Sequence, residues 1–452
     1  MKKAVLGYSI KLLMIVLSLS FMAACSMNGL PSDNSKAVTD DEESSSGKKT
    51  IIRFARPVLG FSKEVSSTIS IFNKTNTEGI EIEVVKIPND RYDETLNMLF
   101  TSGQQPDVFE ISDEWIRSYI KKEWIADITK YADTEFMDRF PSEIIASMDT
   151  MFSGGRYYSF PSCMATLRLI YNKDMFVRSG LKPDAPPKNL AQLKQYAKKI
   201  SDNERVYGRY GFALQSGDRW KSYAHIMEGT STYSGIHYYN PKERKYDLTV
   251  YKNWLQSVLD MKENGSLFPG EGALKSQTAV SQFAEGNIGM MYVSNLELSL
   301  INQQYKAKCD WGIAFPPALD EKSSGLGLQS ILPSSYYGIS SKTLHMDKAV
   351  KVWKLLYSED YLGEMYIVEG LLPIKGLMKY AKYNSNLEKL SEFYPTEKEA
   401  FYQFSPSSID DWTRIDIYAD IISGKKKLDN ALLEQSGLLN SALERYHSFQ
   451  GN

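Results

Sequence analysis

Polar side chains follow two of the strands predicted near the start of this chain, where they could bind a polar molecule. Arg56 comes after a predicted strand at 51–55, and Glu110 and Asp113 end or follow another at 106–110. A carboxylate accepts hydrogen bonds from hydroxyl groups strongly, because such bonds are charge-assisted. Two other roles stay open, since Arg56 could be a surface residue and Asp113 could cap a helix.

A second group of candidates comes later in the chain and includes aromatic rings. A flat ring with a polar edge suits a ligand that has both apolar faces and hydroxyl groups. Trp220 is the expected stacking platform, with Tyr336 or Tyr337 as substitutes, although most of the 29 Tyr and 7 Trp residues should be packing residues. The further polar candidates at predicted strand ends are Gln215, Asp218, Ser294 and Asn295.

No catalytic motif is present in the sequence. The G-x-S-x-G elbow, the P-loop, the dinucleotide G-x-G-x-x-G and H-E-x-x-H are all missing. The 4 His residues are scattered, which predicts no metal site. A glycosidase needs two acids across a cleft, and no spacing singles out such a pair. We therefore expect a binding protein without cofactor or metal, and not an enzyme.

Composition points to an ordinary globular protein. The chain has 452 residues, of which 42% are hydrophobic, enough for about two or three domains with cores of their own. Lys and Arg number 53 against 55 Asp and Glu. Such a balance creates no strong field to attract nucleic acid, so we expect no nucleic-acid partner.

The N-terminus has the pattern of an export signal. Lys2 and Lys3 precede a short apolar run, and small residues lead to Cys25, which predicts a signal peptide at 1–24. The segment Met22-Ala-Ala-Cys25 resembles the lipobox of bacterial lipoproteins, with Met22 where Leu is usual. That resemblance implies a lipid on Cys25, a freely secreted form being the alternative. Residues 25–48 are polar and cannot bury apolar surface, so we expect a flexible tether.

Cys163 and Cys309 are the cysteines that remain after Cys25. An exported protein could join them in a disulfide. A chain with large cores does not need that bridge, and we expect buried thiols. Cys163 precedes a predicted strand at 167–171, where its backbone could line a ligand cleft.

Alternating elements predict how these residues are positioned. Strands at 51–55, 80–87 and 106–110 alternate with helices at 65–73, 92–102 and 115–119, which is typical of a parallel sheet with crossover helices. The later strand at 167–171 has a period-two pattern and follows a predicted turn at Phe160-Pro161. We interpret it as a connection between two compact units, with the ligand beside it.

Short motifs along the chain then resemble one protein family. They are carried by 101–109, 155–161, 169–176, 187–193, 283–291, 337–342, 349–353, 370–373 and the C-terminal 423–432. In this order they resemble extracellular solute-binding proteins of family one, the substrate-binding lipoproteins of bacterial ABC importers. Leu190 replaces a usual Trp, and Ser294-Asn295-Leu296 stands where many sugar-binding members carry Gly and Trp.

The resemblance implies an α/β fold of the two-lobed periplasmic-binding-protein-like type (type II). Each lobe would be a mostly parallel sheet flanked by helices, with the ligand cleft between the lobes. The first lobe would comprise 49–165 plus 340–395, and the second 167–336 plus 405–452. Three segments would cross between them, near 166–169, 336–339 and 394–404.

The resemblance also implies a function. The protein would be a monomer tethered to the outer face of the cell membrane. It would capture a small solute, an oligosaccharide in keeping with the family, by hinge closure and deliver it to the membrane subunits of an ABC permease. A sensor or adhesion lipoprotein with the same cleft, or a receptor for another solute, stays open.

Overall fold

In the computed structural model, the described residues are 49–58, 66–88, 91–152, 155–215, 238–240, 242–270, 273–321, 328–369, 373–376, 389–396, 399–401 and 412–450. The predicted signal peptide, Cys25, the tether, Asp218 and Trp220 lie outside them. Among the described residues, no helix combines the length and the apolar character needed to cross a membrane.

The first lobe is built on three parallel strands connected by helices. The strands are β1 (Thr50–Val58), β2 (Ile80–Pro88) and β3 (Val108–Ile111), and the helices are α1 (Ser67–Thr75), α2 (Tyr92–Thr101) and α3 (Asp113–Lys121). β1 pairs in parallel with both β2 and β3, which confirms the predicted strand–helix alternation. Gly103 follows α2 at φ 72°, the left-handed conformation that glycine adopts readily.

Aromatic packing fills the core of the first lobe. Rings of Phe136, Phe160, Trp353 and Tyr357 contact one another with centroid separations from 4.7 to 6.3 Å. The Trp353 indole N–H donates to the carbonyl of Tyr337 at 2.9 Å, so this large ring is buried without losing a hydrogen bond. The helices that cover this core are α4 (Thr134–Met137), α5 (Ser142–Phe152), α11 (Met346–Leu356) and α12 (Glu359–Glu369).

Two long antiparallel strands, β4 (Ser159–Asn172) and β10 (Leu328–Ile339), connect the lobes. The first half of β4 pairs with β10, ending at the pair Thr166↔Ile331. From Leu167 onward, β4 pairs instead with two strands of the second lobe, β8 (Ile288–Ser294) and β9 (Trp311–Ala314). The partner changes between Thr166 and Leu167, within the crossing expected at 166–169.

The path of β10 differs from the prediction. Its residues 336–339, expected to form the second crossing, pair with β3 inside the first lobe. β10 meets the crossing of β4 earlier, at Ile331. Near its start, β10 also pairs with β11 (Glu399–Phe401), a short strand of the third connecting segment.

The second lobe has a mixed sheet. β5 (Tyr210–Ala213) is parallel to β8, whereas β4 is antiparallel to both β8 and β9. The expectation of a mostly parallel sheet therefore holds for the first lobe and is wrong for the second, because the connecting strand enters the second sheet antiparallel to β8. The remaining elements are α6 (Lys173–Arg178), α7 (Leu190–Glu204), β6 (Tyr239–Asn240), β7 (Lys245–Tyr246), α8 (Lys252–Glu263), α9 (Ser276–Ala284), α10 (Asn295–Ser299), α13 (Trp412–Ser423) and α14 (Leu428–Gln450).

Alternate residues of the second sheet pack on opposite faces. Leu169 and Tyr292 belong to one buried cluster, whereas Ile170 and Val293 belong to another. Period-two alternation produces this division, since successive side chains of a strand point to opposite faces. Leu390 and Phe393 pack in the second of these clusters, although the predicted bounds assigned them to the first lobe.

Candidate functional site

Strand ends from the two lobes meet at the connecting strands. Parallel β1 and β3 end beside the first half of β4 and β10, since Ile111 pairs with Tyr336 and Tyr336 with Pro161. On the other side, β8 ends at Ser294, which pairs with Leu167 of β4. Ligands of open α/β sheets bind beyond the carboxyl ends of the strands. This region, the crossing floor, consists of 159–166 of β4 and 331–338 of β10.

Strand register brings three of the predicted residues to one face of the sheet. Arg56 and Glu110 lie one residue beyond the last β1–β3 pair, Ala55↔Phe109. Glu110 pairs with Tyr337 of β10. Ser335 lies two residues before Tyr337 on the same strand and pairs with Cys163 of β4. Side chains of directly paired residues, and of residues two apart along a strand, share a face.

Glu110 is a buried carboxylate at this edge, only 7% exposed. Its Oε1 accepts a hydrogen bond from Ser335 Oγ, which connects the end of β3 to the crossing floor. The Tyr92 hydroxyl donates to the carbonyl of Glu110 at 2.6 Å and lies 3.1 Å from the carbonyl of Ala55, so it joins the ends of β3 and β1. Glu110 is thus held in place by its neighbours on both sides.

Arg56 and Cys163 differ in their burial and in their contacts. Arg56 is half-buried, and its Nη1 lies 3.4 Å from the Tyr361 hydroxyl and 3.3 Å from Met365 Sδ, both on α12. Cys163 is buried within β4. Cys163 and Cys309 are not joined by a disulfide, as expected, although Cys309 is only half-buried. Burial raises the pKa of the Cys309 thiol to about 11, which keeps it protonated and unreactive at neutral pH.

Asp113 is the first residue of α3, and its side chain lies outside the described part of the chain. Ser112 precedes it with extended backbone. Ser112, and not Asp113, therefore occupies the N-cap position, and it makes no capping hydrogen bond.

In the second lobe, Gln215 and Ser294 have internal hydrogen bonds. Gln215 lies just beyond β5, 4% exposed, and donates through Nε2 to the carbonyl of Tyr292 at 2.6 Å. Within the described residues its Oε1 has no hydrogen-bond partner. Ser294 forms a capping box with Glu297 at the start of α10. Gln215 thus keeps one buried acceptor just beyond the end of β5.

Asn295 extends β8 by one residue with its side chain. Its Oδ1 accepts from the Thr166 backbone N–H at 2.8 Å, and its Nδ2 donates to the Met164 carbonyl at 3.2 Å. These are the bonds that a neighbouring strand would make to β4. Asn295 therefore holds β4 where it crosses between the lobes.

Tyr336 and Tyr337 are packing residues in this structure. Tyr336 is 0% and Tyr337 1% exposed. The Tyr337 ring contacts Phe54 and Tyr357 edge-on, at centroid distances of 5.6 and 5.5 Å. Neither ring presents a face on which a ligand could stack, because the first-lobe core surrounds them.

Sequence reasoning missed Asp93 and Trp115, which lie together at the same edge of the first lobe. Asp93 is in the first turn of α2 and hydrogen-bonds the Trp115 side chain on α3. Burial raises the pKa of Asp93 to about 6, an effect that this hydrogen bond opposes. The rule that marked Arg56 and Glu110 selects polar residues at strand ends, and it missed Asp93 because Asp93 lies on α2, beyond the turn that follows β2.

Two compensating irregularities interrupt the ladder of the crossing floor. Between the pairs Tyr336↔Pro161 and Ser335↔Cys163, β4 has one extra residue, Ser162; one step further, β10 has one extra residue, Ser334. Bulges of this kind bend strands and are frequent near functional sites.

Among the described residues, no group of three or more His, Cys, Asp or Glu side chains is placed to hold a metal ion.

Comparison with known proteins agrees with this architecture. The sn-glycerol-3-phosphate-binding periplasmic protein UgpB of Pectobacterium atrosepticum is 24% identical over 405 residues, 85% of this chain and 81% of UgpB. Lmo0181 of Listeria monocytogenes, solved with cycloalternan, superposes with a TM-score of 0.67 at 17% identity, covering 88% of this chain and 99% of that one. The maltodextrin-binding domain MalE of Bdellovibrio bacteriovorus, bound to maltotriose, gives the same TM-score and identity over 88% and 100%.

These superpositions show that the chain has the fold of two-lobed solute-binding proteins. The profile of the bacterial extracellular solute-binding proteins matches residues 58–362, more than half of the sequence. This chain therefore belongs to the bacterial extracellular solute-binding protein family.

Proposed function

We propose that this protein is the solute receptor of an ABC importer and that it captures an oligosaccharide between its two lobes. Closure of the lobes around the solute shifts an open–closed equilibrium, and the closed form delivers the solute to the permease. In this role the protein changes no covalent bond of the solute, works as a monomer and needs no cofactor.

The observation that carries the proposal is the placement of polar groups at facing strand ends. Arg56 stands near the end of β1 and Glu110 near the end of β3, and Gln215 stands beyond β5 in the other lobe. A solute between them would contact both lobes and thereby favour closure. Hydroxyl groups suit this set, because they can donate to Glu110 and to Gln215 Oε1 while accepting from Arg56.

An oligosaccharide is favoured over a phosphate ester by the charge at the first-lobe edge. Glu110 is a buried carboxylate there, whereas the cations of the same edge, Arg56, Lys86 and Arg91, are half-buried or exposed and keep their charges in contact with water. A phosphate ester such as the ligand named for UgpB would be repelled by carboxylates. The complexes of Lmo0181 with cycloalternan and of MalE with maltotriose support a sugar ligand.

Anchoring through a lipid on Cys25 is part of the proposal. The mature chain would begin at Cys25, with residues 25–48 as tether, the first lobe at 49–165 plus 340–395 and the second at 167–336 plus 405–452. The anchor would hold the receptor near its permease on the outer face of the membrane. In cells fed radiolabelled palmitate, we expect label on the wild-type protein and none on Cys25→Ala; equal labelling of both would contradict the anchor.

A sensor or adhesion lipoprotein would use the same cleft without an importer. The two roles differ in what happens to the bound sugar. Deletion of the gene should abolish uptake of the radiolabelled sugar if the protein serves an importer. Unchanged uptake, with binding intact, would favour the sensor or adhesion role.

A further inference from the structure

Arg168 is a buried arginine, and all three nitrogens of its guanidinium donate hydrogen bonds. It lies two residues past the point where β4 enters the second lobe and is 1% exposed. Its Nη1 and Nη2 form a two-pronged ion pair with Glu399, at 2.7 Å to Oε1 and 3.0 Å to Oε2. The Glu399 side chain is 0% exposed, so the pair is shielded from water.

The other contacts of Arg168 reach the third connecting segment as well. Its Nε donates to the carbonyl of Glu392 at 2.9 Å, and Nη2 donates to that of Tyr394 at 3.2 Å. Two residues before Arg168 on β4, the Thr166 hydroxyl donates to the carbonyl of Phe393 at 2.5 Å. The guanidinium also lies over the Phe315 ring, 4.7 Å from its centroid. The segment 392–399 is thus attached to β4 at the crossing by several directional bonds.

Such a pair is not explained by stability alone. Removing two charges from water is costly, and buried ion pairs can often be replaced by apolar residues without loss of stability. An apolar pair cannot reproduce the directional hydrogen bonds of this ion pair, because a planar guanidinium fixes the position and angle of its carboxylate partner. The consequence of this pair is therefore geometric: it fixes the third segment relative to the first.

The two halves of β4 differ in how many neighbouring strands they pair with. Residues 169–171 pair with β8 on one side and with β9 on the other, so bending there would break hydrogen bonds on both sides. In residues 159–163 all described ladder pairs are with β10 alone, the bonds from Asn295 being made to Met164 and Thr166, and the ladder is interrupted at Ser162 and Ser334. Bending at these bulges disturbs fewer hydrogen bonds than bending beyond Leu167.

We propose that Arg168 and Glu399 are positioning residues that join the first and third connecting segments into one rigid support. Lobe closure then bends the chain at the bulges of Ser162 and Ser334. The inference rests on the proposed function in one respect, that the protein works by lobe closure. It moves the bending point away from 167–171, the strand that the sequence indicated as the connection between the two units.

The test measures lobe geometry without any sugar. The full chain in detergent carries spin labels on Lys74→Cys of α1 and Asn203→Cys of α7, in a Cys309→Ser background. In Arg168→Met/Glu399→Leu, which leaves no buried charge unpaired, we expect the distribution of label distances to widen roughly twofold, because the hinge loses a fixed support. A folded double variant with the wild-type distribution would overturn the proposal.

Glu204→Gln is the matched control. Glu204 is a buried carboxylate that pairs with Arg178 and Arg209 inside the second lobe. This variant should lose thermal stability and keep the wild-type distance distribution, which separates positioning from a general loss of stability. A distribution widened as much as in the double variant would overturn the proposal.

Hydrogen exchange of the wild-type protein keeps the inference testable should the double variant not fold. Amides of 160 and 162–165 should exchange faster than those of 167–172, Pro161 having no amide N–H, and slower exchange at 160 and 162–165 would overturn the proposed bending point. Neither measurement depends on ligand binding. A failure to bind any sugar would count against the proposed function and leave this result unaffected.

Discussion

At the scale of single residues, Glu110 is the group on which solute affinity should depend most. Its carboxylate is buried at the end of β3 and already accepts from Ser335. Glu110→Gln keeps the shape and removes the charge, so charge-assisted bonds to solute hydroxyls become ordinary ones. We expect affinity for the bound oligosaccharide to fall about tenfold, in line with the difference between charged and neutral hydrogen bonds.

Isothermal titration of the folded variant checks this expectation. Glu285→Gln is a suitable control, because Glu285 is an exposed residue that pairs with Lys308 in the second lobe. Affinity should be unchanged in the control. Wild-type affinity in Glu110→Gln would mean that the solute does not use this carboxylate.

The sequence predicted where polar residues lie relative to the strand ends, but it did not predict what those residues contact. The rule that polar residues follow strands identified Glu110 and Asn295. It could not show that the Asn295 amide continues the ladder of β8, because that depends on where β4 passes. Arg168 was not among the predicted site residues, since its partner Glu399 is distant in the sequence.

At the scale of elements, Glu364 of α12 caps another helix. It accepts hydrogen bonds from the hydroxyls of Ser66 and Ser67 and, at 2.9 Å each, from the backbone N–H and hydroxyl of Thr68, all at the start of α1. Burial would raise the pKa of Glu364, but the hydrogen bonds from Ser66, Ser67 and Thr68 outweigh it and hold the pKa below its ordinary value. A negative charge there also suits the helix dipole.

A depressed pKa of Glu364 makes this cap depend on pH in a defined direction. The carboxylate contributes fully above its unfolded-state pKa of about 4.3, and the contribution is lost as pH falls through the lower folded-state value. Glu364→Gln should therefore lower the free energy of unfolding by about 1 kcal/mol at pH 7. The difference from wild type should shrink below about pH 4.

Urea unfolding at pH 7 and pH 3.5 measures this difference. Glu78→Gln, which removes an exposed ion pair with Lys351, should change stability by only a few tenths of a kcal/mol. A Glu364→Gln effect that stayed constant between the two pH values would exclude the charged cap.

Element prediction failed where a proline was taken to mark a turn. Pro161 lies within β4, in the stretch whose described ladder pairs are all with β10. A proline is tolerated there, because its missing N–H removes no bond from a second neighbour. Strand–helix alternation in the first lobe was predictable, since each element shows its own hydrophobic period.

At the scale of the whole molecule, the central claim is that two lobes joined at β4 and β10 close around a solute. The two-lobed fold followed from the order of short motifs, each weak alone. The mixed sheet of the second lobe and the attachment of 392–399 to β4 did not, because both depend on contacts between distant parts of the chain. Those contacts are what couples the lobes.

The most direct test is titration of the purified protein against a panel of oligosaccharides, with sn-glycerol 3-phosphate for comparison, followed by small-angle X-ray scattering. We expect saturable binding of at least one uncharged oligosaccharide, no comparable binding of the phosphate ester, and a smaller radius of gyration in the bound state. Binding of the phosphate ester alone, or sugar binding with an unchanged radius of gyration, would contradict this expectation.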